Sequence, residues 1–556
     1  MTVSPDRLLN PEEAAPASAF NRARYAVGDS LLIFLVAMVV FTFGLTPEFI
    51  GLQARFGMFA QEMLRDGPTF FPTTYHKPYP DYPATSTFLI YLLSLPVGQV
   101  TPLTAALPTA VVSAMILVVT YRIGAMRSRQ WGLAAGLFAL LTVEFFSASR
   151  GITLDQYTSL AVAASFYLVY SADCLGRRRR LWLLVPAWIF GFAFRGPLGL
   201  MLPAAVVCSY YLWRRRWRPS ALAAMSAGVT LGLCLAGLLA AAEMEGGEAF
   251  VRTVLDAQMT GRMQGQGEAA VYYWCRCFTA YALACPLAAV LIACRAKDIL
   301  RRSDEDDNLL GSLAVWTLVV LAATSMPAVK KMRYALPIVP AISLMASYLI
   351  VQTSPQGILS GIKRLSLAFC FWLPAGMTVA VLAVFLLAWH METSWNAHFF
   401  STLAVLVLLA AIGLELRRKW MDPRKSILPA PAIAVAAFAA LWIGIVDPIR
   451  YSQERTRPFV SQVEALYERD PGTLAFFRIG PDAEDIKFMV NLSRPLVPRF
   501  LDSLQELRDV PGTCYVIMKE QVFRSMSADD AKQMRSLGRG KIGHRDCVIL
   551  ALEKQT

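Results

Sequence analysis

Long apolar runs alternate along this chain with short polar breaks in which Lys and Arg gather. A helix needs about 20 mostly apolar residues to cross a bilayer, and the runs are of that order. The first, from Ala26 to Leu45, follows Arg22 and Arg24, which predicts a helix entering the membrane from the cytoplasm. Further spans are expected at Thr104 to Gly124, Trp131 to Phe146, Tyr157 to Ala172, Leu181 to Phe194 and on to Trp213, then Leu222 to Ala242, Val271 to Cys294 and Leu309 to Pro327. Ala335 to Val351, Leu365 to Trp389, Phe399 to Leu414 and Ile427 to Val446 complete about 13 crossings. Phe88 to Val97 is too short and reads as an interfacial helix on the outer side.

From Asp447 the apolar runs shorten to strand length, which predicts a small outer α/β domain over residues 447–556. Leu474 to Ile479, Cys514 to Met518 and Cys547 to Leu552 read as buried strands, with helices at Ala483 to Val490, Leu501 to Leu507 and Ala528 to Leu537. Cys514 and Cys547 are expected to form a disulfide if their strands are neighbours, with two buried thiols as the alternative.

Composition agrees with the pattern. Of 556 residues, 56% are hydrophobic and 17% charged, which excludes an ordinary soluble chain and predicts a polytopic α-helical membrane protein. The formal charge of +13 sits in clusters such as Arg177 to Arg180 and Arg214 to Arg216 between apolar runs, so it reads as positive-inside topology, not nucleic-acid binding. Ten cysteines show no zinc-type spacing, and no metal site is predicted. Residues 1–25 carry no signal-peptide pattern and are expected to form a cytoplasmic tail before an uncleaved anchor.

Positive-inside topology explains cytoplasmic cations. Those on the outer side need another reason: Arg55, Lys77, Arg150, Arg195, Arg252, Arg262, Lys330, Lys331 and Arg333. A ring of cations at the edge of a helix bundle suits a phosphate or pyrophosphate held at the interface, such as a lipid-phosphate head group. The richest stretch is Thr46 to Thr85, where Glu48, His76 and Asp81 lie among Phe and Tyr residues. Asp81, between Pro80 and Tyr82-Pro83, is a candidate carboxylate held by stiff chain, or a turn residue. Asp155 and Glu144 are candidates because an acid at membrane depth needs a polar cavity, although Asp155 also suits a helix cap. His76 is a weaker candidate base.

These residues fall into an order that resembles the C-type glycosyltransferase superfamily, with its nearest likeness to protein mannosyltransferases and the lipid A aminoarabinose transferases. The order is Lys77-Pro78, Asp81-Tyr82-Pro83, Thr153-Leu154-Asp155, Arg195-Gly196-Pro197 with Gly199, and Arg333-Tyr334-Ala335-Leu336-Pro337 with Pro340. Arg55 to Gly67 resembles the family's first-loop helix. The resemblance covers about residues 26–350 within a transmembrane domain at 26–446.

It implies inverting transfer of a sugar from a polyprenyl-phosphate donor to a glycolipid, polysaccharide or protein acceptor, at the periplasmic face of a bacterial inner membrane. It requires no certain cofactor and leaves a divalent cation open. Asp81, Asp155 and Glu48 are then the catalytic carboxylates. Lys77, Arg262, Arg55, Lys330, Lys331 and Arg333 would hold the lipid phosphate, with Tyr82, His76, Arg150, Arg195 and Tyr334 contacting substrate. Leu52 and Gln53 stand where the family carries an acidic pair, so Glu48 or Asp81 must supply the base, unless the acceptor arrives already ionised or the chain is a non-catalytic member. The competing classes are a transporter or flippase for a lipid-linked sugar, against which stand the lack of repeats and the one-sided charge, and an assembly or sensor protein that binds a partner through its outer domain.

Overall fold

The computed structural model describes residues 11–51, 53–81, 83–260, 268–269, 271–351, 357–388, 397–420, 427–481, 484–494, 496–510, 512–527 and 534–552. Among them, eight helices are long and apolar enough to cross a membrane, and ten if each of two bent pairs counts as one span. The pairs Arg129–Leu140 with Val143–Ser149 and Tyr272–Ala280 with Ala284–Arg301 bend by 78° and 114°. Two of the expected straight crossings are therefore broken, and the apolar helices Ala26–Thr42 and Pro197–Trp213 fall short of 18 residues. The chain is a multi-pass membrane protein, and among the described residues eight to ten helices meet the length and hydropathy of a full span, beside the expected 13.

Local sequence sets where the helices start and how closely they pack. Helix Pro102–Ala125 begins with Pro102 in its first turn, and Thr101 and Thr104 bond each other's backbone as a capping box. Gly196, at φ 63°, ψ −149°, turns the chain between helices Leu184–Arg195 and Pro197–Trp213 in a conformation essentially restricted to glycine. The two helices then fold back so closely that a Cβ on Gly191 would strike the Gly199 carbonyl, the small-residue packing that membrane helices favour.

Three helices run between two polar regions. Leu154–Leu175 starts beside Asp155 and ends past Asp173, Pro197–Trp213 runs from the Arg195 turn to Arg214, and Glu305–Ser325 leads from Glu305 toward the segment at Lys330 to Arg333. At about 1.5 Å per residue, Asp155 and Asp173 lie about 27 Å apart along their helix, close to a bilayer's hydrocarbon thickness. The stretch expected to be a loop after Ala242 is instead largely helical. Helix Trp217–Leu255 continues through a kink at Gly246 and Gly247 into a π-helical turn, Asp256–Thr260.

The first loop folds as helix Gln53–Asp66 followed by a two-stranded hairpin, Thr73–Thr74 against Lys77–Pro78. Tyr75 and His76 hold φ of 52° and 61° in its two-residue turn. The Glu62 carboxylate accepts both of their backbone N–H groups, at 2.5 and 3.4 Å.

The C-terminal unit is α/β, with a five-stranded sheet in the order Arg499–Leu501, Thr473–Phe477, Cys514–Lys519, Arg545–Leu552, Met534–Ile542. The first three strands are parallel and the last two antiparallel. Met534–Ile542 corrects the expected helix over residues 528–537, of which 528–533 lie outside the described residues. Leu501 likewise ends a strand, the helix beginning at Leu504.

Cys514 and Cys547 lie on neighbouring strands, but Cys547 pairs with Lys519 while Tyr515 pairs with Ala551. The two cysteines thus sit at opposite ends of the antiparallel pair and in cores on opposite sheet faces, both buried. No disulfide forms between them. The unit is not detached from the first loop: Phe49, Ala54, Met58 and Ala60 share one apolar core with Val460, Phe488 and Val490.

Candidate active site

Where the first loop, the bundle and the C-terminal unit meet, a cavity of about 550 Å³ gathers residues far apart in sequence. It is lined by Arg55, Tyr79 and Asp81 from the first loop, Asp155 and Arg195 from the bundle, Lys331, Arg333 and Tyr334 from the segment before the helix at Val339, and Lys487 from the C-terminal unit. Seven of the residues expected from sequence thus meet in one place.

Asp155 is the polar centre. Its Oδ1 accepts from Arg195 Nε at 3.0 Å, and its Oδ2 lies 3.2 Å from Arg333 Nε. Side chains of Asp155 and Arg195 are 7% and 5% exposed, whereas Arg333 is 31% exposed and reaches the opening. The Tyr334 ring carries the Arg195 guanidinium at 5.1 Å and that of Arg333 at 5.9 Å. A carboxylate and an aromatic face therefore hold two guanidinium groups together, an arrangement that fixes positive charge where an anion can approach.

Across the cavity, Arg55 donates from Nη1 to the Tyr79 hydroxyl at 2.9 Å, with its guanidinium 5.2 Å from the Tyr79 ring centre. Asp81 is held through its backbone. Gln258, on the π-helical turn, donates from Nε2 to the Asp81 carbonyl, and the same amide lies against Gly196. One side chain thus joins the first loop, the Arg195 turn and the π-helical turn Asp256–Thr260.

The other expected residues lie elsewhere. Glu48, 1% exposed, accepts from the backbone N–H groups of Thr456 and Arg457 at 3.1 and 2.6 Å, capping helix Arg457–Arg469. Burial raises its carboxyl pKa, against those bonds. It lines a second cavity, about 630 Å³, together with His76, which faces Asp66 at 3.3 Å.

Arg150 is also locked in structure. It donates to Asp447 at 2.8 Å and to the Val40 and Gly44 carbonyls at 2.6 and 3.3 Å. Lys330 binds the carbonyls of Glu268 and Pro327. Lys77 is exposed on the hairpin and does not line the cavity. Tyr82, Arg262 and Leu52 fall outside the described residues. Among the described residues, no three His, Cys, Asp or Glu side chains cluster to hold a metal.

The sequence reading missed Lys487 and Gln258. Neither carries a local signal: Lys487 lies in a short helix, Glu484–Met489, of a unit expected to stand apart, and Gln258 is a neutral side chain.

A family model described as dolichyl-phosphate-mannose-protein mannosyltransferase matches residues 81–239. Two curated relatives are undecaprenyl phosphate-alpha-4-amino-4-deoxy-L-arabinose arabinosyl transferases. The protein from Pseudomonas paraeruginosa is 24% identical over 402 residues, and that from Pseudomonas aeruginosa is 25% identical over 405, each match covering 70% of both chains. The crystal structure of ArnT from Cupriavidus metallidurans bound to undecaprenyl phosphate superposes with a TM-score of 0.69 at 16% identity, covering 95% of this chain and 97% of that one. The chain resembles the C-type glycosyltransferases in sequence and in fold. The family-model match begins at Asp81 and contains Asp155 and Arg195, so the sequence likeness and the cavity coincide.

Proposed function

We propose that this glycosyltransferase moves a sugar from a polyprenyl-phosphate donor to an acceptor on the outer, periplasmic face of a bacterial inner membrane. The observation that carries the reading is the convergence of Arg55, Arg195, Lys331, Arg333 and Lys487 with Asp81 and Asp155 on one cavity at the edge of the bundle. A transporter reading has no comparable support, because the charged side chains that line this cavity gather at one edge of the bundle.

In the proposed reaction an acceptor oxygen attacks the anomeric carbon from the face opposite the lipid phosphate. The new C–O bond forms as the bond to the phosphate oxygen breaks, and the electron pair leaves on the phosphate. Asp81 takes the acceptor's proton, or orients an acceptor oxygen already ionised. Arg333, Lys331 and Arg55 stabilise the leaving phosphate, a charge-directed role worth about 10²-fold or more per well-placed donor in related chemistry. Asp155 is occupied by Arg195 and Arg333, so it acts by positioning those cations. Glu48, as a buried cap, is left out of the chemistry. Residues 26–446 form the transferase domain in this reading, and 447–556 a periplasmic unit that supplies Lys487 to the site.

The acceptor is proposed at class level: a glycolipid such as lipid A, a polysaccharide or a protein. The test is transfer of a labelled sugar from an undecaprenyl-phosphate donor to extracted envelope acceptors by the reconstituted full chain. Product that depends on Asp81 and Asp155 supports the reading. Transfer undiminished by Asn at both positions overturns it.

A further inference from the structure

Helices Leu154–Leu175 and Pro197–Trp213, which lead away from the cavity, end on the opposite face, where a second cluster of basic residues lies. There helix Pro197–Trp213 gives way to Arg214, Arg215 and Arg216, and helix Ala284–Arg301 gives way to Arg302. Arg215 and Arg302 take left-handed backbone conformations, φ 55° and 56°, that end the regular path of each chain.

The hydrogen-bonding capacity of this cluster is incompletely used. Nε and Nη2 of Arg214 and Nε of Arg302 are buried atoms with no hydrogen-bond partner, and among the described residues Arg302 makes no ion pair. Arg214 is 14% exposed, and its nearest carboxylates, Asp173 and Glu305, are each 3.9 Å away, too far for a hydrogen bond. Both acids are engaged elsewhere: Asp173 accepts from Arg216 at 2.9 Å and from the Tyr210 hydroxyl at 2.8 Å, while Glu305, 64% exposed, also faces Arg127 at 3.7 Å. Asp306 is taken by Arg127 at 3.1 Å.

Aromatic faces hold both guanidinium groups in place, Arg302 over Trp213 at 4.7 Å and Arg214 over Tyr210 at 5.1 Å. Burial lowers the pKa of Arg302, and the neighbouring charges of Arg215 and Arg214 lower it further. Unmade bonds from buried charged donors are costly, and such donors recur where a ligand completes them.

We infer that Arg214 and Arg302 form a binding site for a phosphate group on the face of the bundle opposite the transferase cavity. Planar guanidinium donors suit a phosphate's oxygens. Its surroundings favour a phospholipid head group as the source: Trp217 is 71% exposed and Leu212 40% exposed beside the cluster, as expected of side chains lying at a membrane–water boundary.

The test uses the full-length chain, delipidated in uncharged detergent, with thermal unfolding and native mass spectrometry as readouts. Added phosphatidylglycerol is expected to raise the unfolding midpoint of the wild type and to remain bound when detergent is stripped away. Arg302→Gln and Arg214→Gln should each weaken retention by about tenfold or more. Arg178→Gln, at an exposed arginine on the neighbouring basic turn, should leave it unchanged, and Arg302→Lys should restore part of it.

A parallel arm replaces lipid with inorganic phosphate at constant ionic strength. A rise there of the same size, lost in the same variants, supports the phosphate site and assigns it to a soluble ligand. The proposal is overturned if the wild type responds to neither probe, or if both glutamine variants respond as the wild type does. Retention is scored on the wild type first, so a variant that fails to fold leaves the proposal testable.

Discussion

Asp155 and Arg195 form a buried pair, Oδ1 to Nε at 3.0 Å, at a site where Asp155 also reaches Arg333 at 3.2 Å. One carboxylate thus positions two guanidinium groups that come from a helical turn and from a segment 138 positions further along the chain. Removing one member of a buried pair leaves the other charge uncompensated, which costs about 3–5 kcal/mol. Asp155→Asn is therefore expected to lower both thermal stability and sugar transfer, the latter by about 10²-fold or more. Thermal unfolding and transfer rates measured on one preparation check the two effects together. A variant that loses transfer at unchanged stability would argue for a direct chemical role instead.

Glu48 offers the opposite pattern. As a cap for helix Arg457–Arg469 its replacement by Gln should cost about 1 kcal/mol of stability and leave kcat near the wild-type value. Its pKa is raised by burial, so the stability it contributes is fully present below about pH 4.5, its ordinary value, and is lost as pH rises through the folded-state value. The wild-type advantage over Glu48→Gln should shrink over that window in unfolding curves taken as a function of pH. A large fall in kcat for the folded variant would return Glu48 to the chemistry.

Gly196→Ala should destabilise the site through the backbone. A φ of 63° with ψ near −149° costs a residue with a Cβ about 1–3 kcal/mol, and the added methyl would press on the Gln258 amide that holds Asp81. Reduced transfer with a lower unfolding midpoint is the expected result. Activity equal to the wild type would show that the Gln258 bridge is dispensable.

Lys487→Gln tests whether the C-terminal unit belongs to the site. Loss of a cation at the cavity wall should weaken substrate use by about 10-fold, chiefly in KM, with little change in stability because the side chain is partly exposed. Steady-state kinetics with donor and acceptor varied separately will tell which substrate it serves.

Much of this was legible in the sequence, for definable reasons. Hydropathy gives the membrane class directly, and basic residues on the outer side stood out because topology does not explain them. That argument reached Arg55, Arg195, Lys331 and Arg333. It also collected Arg150, whose partner Asp447 is 297 positions away, and Lys330, which binds carbonyls. Side chains with structural and ligand-binding roles look alike until the fold supplies their neighbours. The bend before Val143 was hidden because no Pro or Gly marks it and hydropathy is blind to direction. Strand Met534–Ile542 was obscured by Gly538 and Gly540 and by Arg535, Arg539 and Lys541, which break the apolar alternation.

The central claim is sugar transfer from a polyprenyl phosphate with Asp81 at the reacting centre. The most direct test compares wild type and Asp81→Asn in liposomes supplied with a labelled undecaprenyl-phosphate sugar and an envelope acceptor extract, with undecaprenyl-phosphate binding measured in parallel. The wild type should form labelled product, and the variant should lose about 10²–10⁴-fold in transfer while still binding the lipid phosphate. Transfer by Asp81→Asn at the wild-type rate would contradict the account.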